Sequence, residues 1–373
     1  MAASGPGPSG APRQPNTPKK ATLAAAFGAA IALSFLALGL GTAVGSVYVP
    51  LGAVTRIIGA RFAETLAGNG YGPPDAMAGI SPAWAGIVWN LRLPRALLAW
   101  IAGASLSISG AVMQSTLRNP LASSFTLGVS SGASLGAGLV IVGAAALPAL
   151  ASIAGFSVPA AGFLFAMLSI LAVMRFARAI DPRLDNNTII LTGMVFSLFI
   201  SACLTLLSAL AGKEINRLIF WQMGSFALKG WEPVPITACA LALALAVVLF
   251  HSRELDILTF GEEEARAIGV ASETTKRILI GTVSALTGCV IAFVGVVGFI
   301  DLAVPHAVRR AFGPRHRSLI PLSALFGGSF MVLADLAART ALPPLDLPVG
   351  AVTALFGAPF FAWVFFSSRR EMA

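Results

Sequence analysis

Charged side chains are scarce in this chain. Asp, Glu, Lys and Arg make up only 11% of its 373 residues, while 57% are hydrophobic and the mean hydropathy is +0.84. Such a composition has too little polar surface to enclose one soluble core, so lipid is the solvent for most of the chain. At roughly 20 apolar residues per span, the length holds about ten spans in one membrane domain and no separate soluble domain. The charge imbalance, +9, does not point to nucleic acid. The basic residues lie in short clusters between apolar runs, and no basic face carries interleaved aromatics.

Cysteine and histidine are rare too. Cys203, Cys239 and Cys289 each sit inside an apolar run, too scattered for metal-ligand spacing, and read as small core residues. His251 and His316 fall at the ends of apolar runs. His306 follows Pro305 with no second His or carboxylate at ligand spacing, so none marks a metal centre or an enzyme. A phosphate-cradling G-x-x-x-x-G-K-[ST] loop is missing, since the one Gly-Lys pair, Gly212-Lys213, is followed by Glu214. Any ATPase serving this chain is therefore a separate subunit. Acidic, basic and histidine side chains are absent from 119–174, 188–211, 278–300, 318–334 and 347–368. That argues against a proton relay, which places such groups at membrane depth, and against an intramembrane hydrolase. An ion-coupled carrier that holds sodium with broken-helix carbonyls stays open.

The first residues, 1–20, rich in Pro, Gly, Ser and Ala and ending in Lys19-Lys20, cannot bury a core and read as a disordered cytoplasmic tail. The run from Ala21 to Val47 is too long for the apolar part of a cleaved signal, and its basic pair precedes it. It reads as an uncleaved first span entering from inside, the start of one membrane domain over 21–373. Further spans are predicted near 93–116, 123–147, 157–174, 188–211, 234–251, 277–296, 297–311 (short or broken), 318–338 and 347–367. With the N-terminus inside, only Arg56, Arg61, Arg92, Arg95, Lys213, Arg217, Lys229 and Arg339 of the 25 Lys and Arg fall outside. The positive-inside bias thus favours an all-α polytopic fold of about ten transmembrane helices with both termini cytoplasmic.

Polar residues stand out at the two faces. Inside, Leu255–Val270 (LDILTFGEEEARAIGV) is the most polar helix-like stretch between two cytoplasmic span ends. Gly261 is placed to end one short helix, Glu262, Glu263 and Glu264 suit the positive end of the next, and Gly269 can close it after Arg266. The outcome is a helix-turn-helix knob, which taken alone also fits a solvated surface helix. Outside, Arg92 and Arg95 lie three apart on one helix face, where positive charge is disfavoured, and call for acidic counterparts. Arg95 also suits a headgroup anchor, and Arg339 an i,i+4 pair with Asp335. Asn119-Pro120 and Val304-Pro305 interrupt apolar runs where charge appears, as a broken helix or a proline kink near a span end would. Asp301, in an apolar setting, must be paired or wet: it faces a channel or pairs with a nearby Arg.

Several stretches, in order, resemble one family. They are Arg92-Leu-Pro-Arg95, Gly110–Gln114, Arg118-Asn-Pro-Leu-Ala122, Leu127–Gly136, Gly295–Ile300, Val304-Pro-His306, Ala334-Asp335 and Leu347–Gly350. The set resembles the FecCD-type permeases, membrane subunits of ATP-driven importers for iron-siderophore chelates, haem and cobalamin, over nearly the whole chain from Arg92. Leu255–Val270 looks like the loop by which those permeases engage their ATPases.

The resemblance implies ATPase coupling through Gly261, Glu262, Glu263, Arg266 and Gly269, and docking of a substrate-loaded extracytoplasmic binding protein on Arg92, Arg95 and Arg339. It implies two ABC ATPase subunits and a second permease copy, as a homodimer or a heterodimer, with the path between the copies. Gln114, Asn119, Pro120, Asp301 and Pro305 become path candidates. The implied setting is a bacterial cytoplasmic membrane, and the implied cargo a ferric siderophore, with haem or cobalamin as alternatives. No cofactor or metal is called for, and the permease makes no covalent chemistry. Two departures bear on cargo: Asp301 stands where the family usually has glycine, and Ser123-Ser124 where it tends to carry an acidic residue and proline.

Overall fold

A computed structural model describes residues 20–67, 79–146 and 154–370. The tail predicted over 1–20 lies outside them except for Lys20. Among the described residues the chain forms α1 (Lys20–Ala43), α2 (Leu51–Ala67), α3 (Pro82–Thr116), α4 (Val129–Ala146), α5 (Ala154–Ile180), α6 (Asn186–Leu210) and α7 (Ile215–Gln222). The second half forms α8 (Pro233–Phe250), α9 (Ser252–Leu258), α10 (Glu262–Ala267), α11 (Ser272–Val294), α12 (Ile300–Phe312), α13 (His316–Thr340) and α14 (Val349–Arg370).

Seven helices, α1, α3, α5, α6, α8, α11 and α13, are long and apolar enough to cross a membrane, and α4 and α14 carry shorter apolar stretches. The 13 residues of α12 reach only about 20 Å at 1.5 Å per residue, too short for a full crossing. These ten elements overlap the ten segments the hydropathy predicts, and the chain is an all-helical integral membrane protein.

The core forms around α3. Its apolar window is 89% buried, against 22% for α1 and α6, and it packs on α13, α11, α12 and α8. Small residues permit this: on α3, Ala, Ser and Gly fill much of the stretch from Ala99 to Ala111. At Gly110 an added Cβ would lie 1.7 Å from the Asp301 carbonyl oxygen, so α12 touches α3 backbone to backbone. Gly132 and Gly136 serve α4 in the same way, against the Phe165 and Ala161 carbonyls of α5.

Four details depart from the sequence reading. The α3 run begins at Pro82, well before residue 93, and contains a π-helical stretch over Ile87–Arg92. The helix predicted from 123 starts at Val129, because the preceding chain is turned: Asn119 Oδ1 accepts from Leu121 N, and Ser123 and Thr126 bond each other. Helices α2 and α7 are additions. Val54 and Ile57 of α2 pack with Val49, Ala85 and Val88 in a small core of their own. Cys239 is exposed on α8 instead of lying in the core.

Candidate functional site

Polar side chains gather at the two ends of the α3–α13 pair, which run antiparallel. One end holds Arg92, Arg95, Trp231 and Arg339. The other holds Ser115, the α9–α10 knob, Lys276 and His316. Between Arg95 and Ser115, α3 rises about 30 Å, the thickness of a hydrocarbon core.

The knob has the predicted shape. Helix α9 ends at Leu258 with Thr259 as its C-cap, and Phe260 N donates to the Ile257 carbonyl. Gly261 turns the chain at φ 147° as the N-cap of α10, a conformation open to glycine and strained for any other residue. Gly269 closes the unit at φ 86°, with Val270 N donating to the Ala265 carbonyl. Leu255, Leu258 and Ala265 face inward and are buried, whereas Phe260 is 75% and Ile268 66% exposed at the tip.

The root of the knob is polar and buried. Lys276 Nζ at the start of α11 donates to the Leu184 carbonyl at 3.1 Å, to Asn186 Oδ1 at 2.6 Å and to Glu262 Oε1. Glu262 also pairs with Arg266 at 3.5 Å, while Glu263 and Glu264 are exposed. By charge count Lys276 is one more cytoplasmic cation, and its place just inside an apolar helix is the signal that sets it apart. Beside it, Asp181 accepts from the backbone N–H groups of Asp185 and Arg183, which hold its carboxyl below the usual range. Arg118, Asp181, Arg183 and the α10 acids line a charged cleft of about 450 Å³.

At the opposite end the three arginines line one cleft of about 790 Å³ with Asp346, Leu228 and Pro343, but they differ in what they touch. Arg92 is 6% exposed and donates to the Thr42, Ala43 and Val47 carbonyls at the end of α1. Arg95 clasps Asp335 with Nε and Nη2, each at 3.0 Å, and reaches Asp346 with Nη1 at 2.9 Å. Arg339 donates to the Gly41 carbonyl and stands 3.8 Å from Asp335, the i,i+4 pair the spacing predicts. Arg92 and Arg95 therefore do not act as one face: the first is tied to α1, the second to α13 and the loop after it.

The path candidates also separate. Gln114 is 3% exposed and bonds α12; Pro305 is buried within α12, while Pro120 is exposed and Asn119 partly so. Asp301 is 2% exposed and packs on Gly110, and its Oδ2 has no partner among the described residues. No arginine reaches it, because Arg309 is turned instead toward Gln114 and Ser115.

The family profile of the FecCD transport family matches residues 66–367, most of the chain. The chain belongs to the FecCD transport family. It is 38% identical to the ABC transporter permease protein YvrB of Bacillus subtilis, over 91% of this chain and 93% of the relative. It is 40% identical to the cobalamin import system permease protein BtuC of Halobacterium salinarum, over 74% of this chain and 73% of that one. The hemin transport system permease protein HmuU of Yersinia pestis is 35% identical over 76% and 84%. A solved inward-facing structure of a metal-chelate type ABC transporter superposes with a TM-score of 0.77 at 27% identity, covering 92% of this chain and 99% of that one. As a FecCD member the chain is the permease subunit of an ABC importer, a family whose permeases work with ATPase and substrate-binding partners.

Proposed function

We propose that this permease carries a bulky metal chelate, of the class that includes ferric siderophores, haem and cobalamin, across the bacterial cytoplasmic membrane. Two separate ATPase subunits hydrolyse the ATP and grip the α9–α10 knobs of two permease copies. A loaded binding protein docks over the arginine cleft on the other face. The observation that carries this reading is the knob, with apolar Phe260 and Ile268 exposed at its tip and Lys276 buried at its root. An exposed apolar tip on a rigidly held base suits insertion into a partner's groove.

The cargo class is supported from two sides. Relatives named for cobalamin and hemin are 40% and 35% identical. A ligand whose metal is already coordinated also needs no charged site at membrane depth, and the stretches 119–174, 188–211, 278–300, 318–334 and 347–368 carry no acidic, basic or histidine side chain. ATP binding moves the knobs, the spans tilt, and the path between the copies opens alternately to either side.

The test is transport in proteoliposomes holding the permease, its ATPase and its binding protein, offered cyanocobalamin, haemin and a ferric siderophore in turn. ATP-dependent accumulation of one of them is the expected result. Uptake driven by an ion gradient without ATPase would put the chain among secondary carriers instead.

A further inference from the structure

The knob is joined to the membrane core by one continuous chain of polar contacts. Asp256 of α9 accepts from the His316 backbone N–H at 2.9 Å, and the same oxygen lies 2.6 Å from His316 Nδ1. The other ring nitrogen, Nε2, lies 2.6 Å from the Ser115 hydroxyl at the end of α3. Ser115 Oγ also accepts from Arg309 Nη2 of α12 at 3.1 Å, and Arg309 Nη1 donates to Gln114 Oε1 at 3.2 Å. Gln114 Nε2 in turn donates to the Asp301 and Leu302 carbonyls at 3.4 and 3.3 Å, in the first turn of α12. Five side chains thus connect α9, α13, α3 and both halves of α12.

One assignment of hydrogens satisfies this chain. Asp256 accepts from Nδ1–H, neutral Nε2 accepts from the Ser115 O–H, and a Ser115 lone pair accepts from Arg309. The order Asp-His-Ser also occurs in acyl-transfer enzymes, but that chemistry is excluded here. Ser115 is 3% and His316 1% exposed, and the hydroxyl is committed to two partners, so no substrate carbonyl can reach it.

We propose that Asp256, His316, Ser115, Arg309 and Gln114 form the linkage through which displacement of the knob swings α12 against α3. The proposal rests on the reading of the knob as the ATPase contact. Its links run from a half-exposed Asp256 through buried His316, Ser115 and Gln114, and they are directional, so they transmit displacement instead of absorbing it. The driven element follows an irregular segment: between α11 and α12 the chain passes Gly295 at φ 79° and Phe299 at φ 70°, a break where backbone angles can change without unwinding either helix. These five are positioning residues, acting through α12 and not on cargo.

The test is hydrogen exchange of the permease–ATPase complex in nanodiscs, with and without ATP plus vanadate, for the wild type, Ser115→Ala, Asp256→Asn and His316→Ala. In the wild type, nucleotide changes exchange in 252–270 and also in 112–122 and 300–309. In the variants the knob keeps its response while the response of the inner segments falls roughly twofold to thirtyfold, the range over which single links change coupling between sites. Exchange of the inner segments without nucleotide stays at the wild-type level in Ser115→Ala, which a merely structural role for the hydroxyl would not give. If His316→Ala fails to fold, Ser115→Ala, which removes a single hydroxyl, carries the test. An undiminished inner response in Ser115→Ala and Asp256→Asn overturns the linkage alone. A wild-type knob indifferent to nucleotide overturns the ATPase-contact reading and the linkage with it.

Discussion

Lys276 is among the largest fully buried side chains of the protein. Taking an ammonium out of water costs several kcal/mol, and attraction to a partner offsets this only when the remaining donors are also satisfied. Here the Leu184 carbonyl, Asn186 and Glu262 supply three acceptors. Glu262→Ala leaves that charge with neutral acceptors only, and should lower stability by about 3–5 kcal/mol. Glu263→Ala, on an exposed position, should stay within about 0.5 kcal/mol. Thermal unfolding in detergent, alongside ATPase co-purification, separates the two: on the proposed function Glu262→Ala should lower the unfolding temperature and Glu263→Ala only the co-purification. In the sequence both are N-terminal acids of one helix, because the lysine that distinguishes them comes from another element.

Asp256 gives a prediction with a definite sign. Burial raises its pKa, but the hydrogen bonds from the His316 ring and backbone and the nearby charge of Arg315 outweigh this, so it lies below the ordinary carboxylate value. A depressed folded pKa means a contribution fully present above the unfolded pKa and lost as pH falls through the folded one. The docking of α9 on α13 should therefore be unchanged from neutral pH down to about pH 5 and weaken below about pH 4. Exchange protection across 252–258 measured against pH checks this, and Asp256→Asn should remove the acid step.

At the scale of elements, the long spans were legible because a run of 20 apolar residues with no charge has one physical outcome. The breaks were legible through proline and glycine at Asn119-Pro120, Gly261 and Gly269, whereas Val304-Pro305 lies inside α12 and breaks nothing. Helices α2 and α7 were not. Each is short and mixes charge with apolar residues, so its helicity depends on packing partners such as Val49 and Val88, which the local pattern does not reveal. Close helix approach was equally hidden, since a glycine within an apolar run does not say what touches it. Gly110→Ala and Gly261→Ala separate the two uses of glycine. At Gly110 the added methyl meets the Asp301 backbone, so α12 must move off α3, at about 1–3 kcal/mol or more. At Gly261 it meets only the flexible end of Glu264, and the cost is the strained φ of 147°, about 1–3 kcal/mol confined to the knob. Thermal unfolding should register Gly110→Ala, while proteolysis near residue 260 should register Gly261→Ala first.

At the scale of the whole molecule, the distribution of charge decides what each face can do. The outer cleft sets Arg92, Arg95 and Arg339 against Asp335 and Asp346, so one positive charge is left over within one cavity. Arg92 is spent on the carbonyls that end α1, and replacing it should loosen α1 without a specific effect on docking. Asp335 is buried under Arg95 and Arg339, but the Asp346 side chain is 45% exposed. In the proposed docking an incoming acidic side chain would displace Asp346 from Arg95 Nη1 without breaking the buried Arg95–Asp335 pair beneath. It follows that Asp346→Asn should strengthen docking of the binding protein, since the competing carboxylate is gone, while Arg95→Glu should weaken it about tenfold or more. Arg92→Met should lower the unfolding temperature with docking nearly unchanged. Binding of the loaded partner protein to the permease–ATPase complex in nanodiscs, measured at two salt concentrations, decides among these. Equal affinities for Asp346→Asn, Arg95→Glu and the wild type would remove the cleft from the docking surface and leave its arginines a purely internal role.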